Sequence, residues 1–103
     1  MEFLVNIKFA RLAGLPEAER APIVAAERQR AAELAAAGHL VRIWRVPCQH
    51  ENWGLWAVSD ATELHSIISA LPAYPWTEIK VVALATHPVD PFQAATVTLP
   101  SLQ

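Results

Sequence analysis

A chain of 103 residues is long enough for one compact domain, one that buries roughly two-thirds of its unfolded surface. Hydrophobic residues make up 53% and charged residues 17%, yet no run approaches the ~18 apolar residues of a membrane span and no basic-then-apolar leader is read; the apolar surplus therefore points to self-association. Eight Lys+Arg against ten Asp+Glu give a net charge of −2 without a basic block, which excludes nucleic acid as the expected partner.

The single cysteine, Cys48, excludes an intrachain disulfide and suits a reducing cytoplasm. His39, His50, His65 and His87 lack metal-ligand spacing, so no metal site is expected.

In chain order, residues 2–9 alternate Phe3, Val5, Ile7 and Phe9 against Glu2, Asn6 and Lys8, the pattern of a half-buried strand. Gly14 to Ala21 reads as a loop or irregular first turn. Pro22 suits the start of a helix and would kink one already running from Pro16. Ala25 to Ala37 is a strong helix ended by Gly38. His39 to Val46 and His50 to Val58 are two strands joined by the Pro47–Gln49 turn, antiparallel because the connection is short. Asp60-Ala61-Thr62-Glu63 has capping-box spacing and opens a second helix with Leu64, Ile67, Ile68 and Leu71 inward, stopped by Pro72 and Pro75. Glu78 to Thr86 is a fourth strand ended by His87-Pro88, and Thr96-Val97-Thr98-Leu99 could add a further C-terminal strand, onto another subunit. The order β-α-β-β-α-β defines an α+β, ferredoxin-like sandwich with an antiparallel sheet. It forms a single domain over 1–103, with a core of about 2–88 and a tail of 89–103. Apolar residues on both faces of the last strand make a second subunit the simplest cover for the face without helices.

Two features stand out against this frame. Ile23, Val24, Glu27, Ala31, Leu34 and Ala35 share one helical stripe with Glu27 near its centre. A carboxylate there must find donors or accept a proton through a raised pKa; an ion pair with Arg42, Arg45 or Lys8 is the bland alternative. Arg42-Ile43-Trp44-Arg45 then alternates arginine and tryptophan along a strand, costly to bury unless paired or bound to something. Arg42 and Trp44 share a face, as do His50 and Asn52, whereas Arg45 lies opposite to Arg42. A one-residue change of hairpin register exchanges the faces, so spacing alone leaves open which of these residues meet. For Arg42 and Trp44 the alternative is a surface arginine beside a core tryptophan. His65 and His87 read as packing and strand-ending residues, and Cys48 has no base beside it in sequence.

Taken together, Glu27, Arg42-x-Trp44-Arg45, Asn52, Leu64-His65, Leu71-Pro72-x-x-Pro75 and His87-Pro88 resemble the muconolactone Δ-isomerase family, which includes 5-chloromuconolactone dehalogenases. The match runs from about residue 20 to 88. The resemblance implies a ferredoxin-like fold in a ring-like homo-oligomer, often decameric, with active sites at subunit contacts and no cofactor. It also implies an intramolecular isomerase that shifts a C=C bond in an unsaturated lactone of aromatic catabolism. His50 and Trp53 stand where the family usually carries tyrosine, and Ala57 stands where it carries aspartate. These changes surround Asn52 and are compatible with a shift to another lactone or unsaturated carboxylic acid.

The chemistry needs few groups. One carboxylate can take a proton from one carbon and return it to another, and Glu27 is the candidate. The intermediate carries charge on the lactone oxygen, which the Asn52 amide, an indole N–H or His50 could stabilise, with Trp44 and Trp53 as substrate-binding residues. The substrate carboxylate needs a cation, Arg42 or Arg45. Two rivals share these residues: a lyase that expels halide with the same base, and a binding protein that kept the fold without the chemistry.

Overall fold

The computed structural model describes residues 1–92; the Thr96–Leu99 strand expectation lies outside them. Chain order is β1 (Glu2–Lys8), α1 (Ala10–Ala13), α2 (Glu17–Ala36), β2 (Leu40–Arg45), β3 (Glu51–Ala57), α3 (Ala61–Ser69), a 3₁₀ turn (Tyr74–Trp76) and β4 (Glu78–Leu84). The four strands form one open sheet in the order β2-β3-β1-β4, with every neighbouring pair antiparallel. This is the expected ferredoxin-like α+β architecture.

Local chemistry accounts for most of the boundaries. The Asp60 side chain accepts the Glu63 N–H at 2.8 Å, while Glu63 Oε1 accepts the Ser59 N–H at 2.9 Å, capping α3. At the end of α2, Gly38 takes φ +86. The Gly38 and His39 N–H groups then donate to the Ala35 and Leu34 carbonyls, a Schellman closure that favours glycine.

The start of α2 differs from expectation. The helix runs from Glu17 with Pro16 as its cap, and Pro22 lies inside it. Pro22 removes one N–H from the ladder. The loss is tolerated beside good helix formers and acidic Glu17 and Glu19 in the first turn. Arg20 ties this turn to the preceding loop by donating to the carbonyls of Ala13 and Leu15 at 3.2 and 3.0 Å.

The helices cover one sheet face. Phe3, Val5 and Ile7 of β1 pack with Leu34, Leu40, Trp56, Val58, Leu64, Ile68 and Leu71 in one buried cluster, each large side chain stabilising the fold by about 1.5–3 kcal/mol. Trp56 lies over Gly54 so closely that a β-carbon there would come within 2.8 Å of the indole Nε1. Ala35, placed on the inward stripe by periodicity, is exposed.

The opposite face has no helix. By register it carries Leu4, Leu55, Trp53, Trp44 and Val82. Within the single chain Trp44, Val82 and Leu84 are exposed rather than covered. Among the described residues no helix is long and apolar enough to cross a membrane.

Candidate active site

A bulge in β2 decides which side chains face the helices. Leu40 pairs with Trp56, but the register then shifts so that Arg42 pairs with Leu55, Ile43 with Gly54, Trp44 with Trp53 and Arg45 with Asn52. One extra residue inverts the alternation. Beyond the bulge, Ile43 and Arg45 take the helix side, which Asn52 and Gly54 share with Val5 and Ile7. Arg42 and Trp44 take the other side, where the Arg42 guanidinium lies 4.9 Å from the Trp44 ring centroid in a cation–π contact.

On the helix side, α2 and the β2–β3 hairpin border an open cleft of about 850 Å³, ample for a small organic acid. Val24, Glu27, Arg28 and Ala31 line it from α2, and Ile43, Trp44, Arg45, Gln49, His50, Glu51 and Asn52 from the hairpin. Phe9, Leu12, Ala13 and Arg20 complete the wall. Of the residues expected at a site, Glu27, Arg45, His50 and Asn52 therefore meet here, while Trp44 borders the cleft from β2 at a position whose register belongs to the other face. Arg42 and Trp53 do not line the cleft; the bulge carries Arg42 to the helix-free face, and Trp53 lies beside it there.

Glu27 is half-buried. Its Oε1 accepts the Ala73 N–H at 3.0 Å, and the one ion pair among the described residues joins Arg30 and Glu33. The ion pair weighed for Glu27 with Arg42, Arg45 or Lys8 is thus not made. Burial pushes its carboxyl above the ordinary value, and the Ala73 N–H offsets part of that rise.

Asn6 was expected on a solvent face and is only 4% exposed. Its Nδ2 donates to Glu51 Oε2 at 2.9 Å and to the Asn52 carbonyl at 3.2 Å. Those bonds fix the start of β3, where Asn52 enters the cleft. The available signal was an asparagine inside a strand, a setting in which the residue is depleted. His50 is held through its backbone, its carbonyl accepting the Phe9 N–H at 2.7 Å. His65 is exposed, and His87 Nδ1 accepts the Val89 N–H just after β4.

The sequence profile of muconolactone Δ-isomerase matches residues 1–90. The chain belongs to the muconolactone Δ-isomerase family. The muconolactone Δ-isomerase of Acinetobacter baylyi is 33% identical over 88 residues, covering 85% of this chain and 92% of that protein. That of Cupriavidus pinatubonensis is 32% identical over 88 residues, covering 85% and 96%. A crystal structure of muconolactone isomerase superposes with a TM-score of 0.81 at 26% identity, covering 87% of this chain and 94% of that one. In this member of the muconolactone Δ-isomerase family, an isomerase family, the cleft brings together one desolvated carboxylate, a strand arginine and an asparagine amide on adjacent elements.

Proposed function

We propose that this protein is a cofactor-independent, cytoplasmic isomerase that moves a proton within a muconolactone-type unsaturated lactone by carboxylate acid–base catalysis. The observation that carries the reading is the Glu27 carboxyl, desolvated within the cleft and free of an ion pair among the described residues. A base needs this environment: a raised pKa improves proton affinity, and the absence of a salt bridge leaves the carboxylate available.

Glu27 removes the proton from the lactone ring and returns it at the other end of the allylic system. The Asn52 amide supplies a donor to the enolate oxygen that gains charge. Arg45 binds the substrate carboxylate; it is preferred to Arg42 because it lines the cleft whereas Arg42 lies against Trp44 on the other face. His50 bounds the substrate from the hairpin side.

The reading is tested by incubating the purified protein with muconolactone and following double-bond migration by NMR. Conversion without added metal or coenzyme is expected, and no conversion at high enzyme concentration would reject this substrate. A chlorinated lactone in parallel separates the rival: stoichiometric halide release would mark a lyase.

The acid side of the pH–rate profile should report Glu27. Its raised pKa means that the carboxylate needed as base forms only above the ordinary carboxylate range, so kcat/KM should rise with pH through a displaced midpoint. A profile already flat at the pKa of an exposed glutamate would contradict the assignment.

The working form is a homo-oligomer. Trp44, Val82 and Leu84 are exposed on the helix-free face, and a second copy removes such surface from water. Light scattering at micromolar concentration should find a closed oligomer; a stable monomer would contradict this.

A further inference from the structure

The bond between Glu27 and Ala73 links residues 46 positions apart and joins α2 to the turn after α3. Ala73 is 0% exposed, in a segment flanked by buried Leu71 and closed by the Tyr74–Trp76 3₁₀ turn. The Tyr74 N–H donates to the Leu71 carbonyl at 3.0 Å and the Trp76 N–H to the Ala73 carbonyl at 3.0 Å, while Pro72 and Pro75 stiffen the same six residues. A donor built this way is fixed before any ligand arrives. It holds Oε1 of Glu27 and leaves Oε2 with no bond to the described residues.

We propose that the Ala73 backbone N–H is a positioning group for the Glu27 base, anchoring Oε1 so that Oε2 alone is presented to the substrate. This inference rests on the reading of Glu27 as the base. A carboxylate free to rotate on a flexible side chain would spend much of its time out of reach of the substrate carbon, whereas one anchored oxygen fixes the other. The same bond favours the charged form and opposes the desolvation of the site. Other charged or titratable groups lining the cleft with Glu27 are Arg20 and Arg28 on α2, Arg45 on β2, and His50 and Glu51 on the hairpin. None is changed by altering a backbone amide, so that perturbation isolates this one bond.

The test replaces the Pro72–Ala73 amide by an ester through incorporation of lactic acid at position 73 of the full chain. Shape is retained and the donor is lost. A roughly tenfold fall in kcat is expected, as for a hydrogen bond to a charged group, with KM nearly unchanged and the acid limb of the pH–rate profile moved to higher pH. A lower melting temperature with kcat and the acid limb unaltered would show a structural tie only and overturn the proposal.

A second measurement uses the unmodified, ¹⁵N-labelled protein and needs no altered backbone. The Ala73 amide resonance should titrate with the midpoint of the acid limb and lose that titration in Glu27→Gln; an amide resonance insensitive to pH across the limb overturns the proposal. Glu27→Gln assayed alongside separates the two ideas. If it retains full turnover, the base assignment itself fails, whereas a dead Glu27→Gln beside a fully active ester variant removes only the positioning role.

Discussion

Glu27→Gln is expected to fold and assemble as the parent does while losing roughly a hundredfold or more in turnover. Glutamine keeps the size of the side chain, and its carbonyl oxygen can still accept the Ala73 N–H. It cannot take up the substrate proton. Stability should move in the direction opposite to activity. Because burial raises the folded-state pKa of Glu27 above its unfolded value, the folded state binds the proton more tightly. Stability therefore falls as pH rises from the unfolded pKa through the folded one, and the cost is fully present above both. Glutamine carries no such cost, so the variant should be at least as stable as the parent at neutral pH and lose that advantage in acid. Chemical denaturation at two pH values, with steady-state kinetics on the same preparations, measures both effects. An ion-paired structural glutamate predicts the reverse, a loss of roughly 3–5 kcal/mol on stranding its partner. Unimpaired isomerisation by a folded Glu27→Gln oligomer would end the assignment.

The two strand arginines should separate just as sharply. Arg45→Leu removes a cation that lines the cleft from β2, paired in register with Asn52, and should weaken apparent substrate binding by roughly 2–4 kcal/mol. Arg42→Leu removes a guanidinium lying over Trp44 on the other face, worth about 0.5–1 kcal/mol at an exposed site. Its effect should fall on stability or assembly. Kinetic comparison of the two variants decides between the faces. If Arg42→Leu raises KM while Arg45→Leu does not, the carboxylate clamp has been assigned to the wrong side of the sheet.

The site was legible in the sequence to the extent that its members broke local rules. Glu27 interrupts an apolar stripe and Arg45 stands in a strand; both line the cleft. Asn52 stood out as an asparagine within a strand, and the family motif gave it a role. Arg42 was indistinguishable from Arg45 because strand alternation fixes relative faces and leaves a bulge unseen. Val41 is the residue on which this turned, and its side chain gives no sign of it. Asn6 was assigned to solvent by simple alternation, although its partners Glu51 and Asn52 lie on a strand that pairs with its own only after folding.

The sequence by itself determined the elements whose signals are short-range. These are the 2-residue period of β1, the capping residues Asp60 and Glu63 of α3, Gly38 at the end of α2, and the brief turn that makes β2 and β3 antiparallel. Each depends on neighbours a few positions away, where sterics and hydrogen bonding act on the chain directly. Only the tertiary structure decided the register of the β2–β3 pair, the choice of Arg45 for the cleft, and the contact of Glu27 with Ala73. Those features join residues far apart in the chain, and their positions follow from packing the helices against one sheet face, which no local pattern encodes.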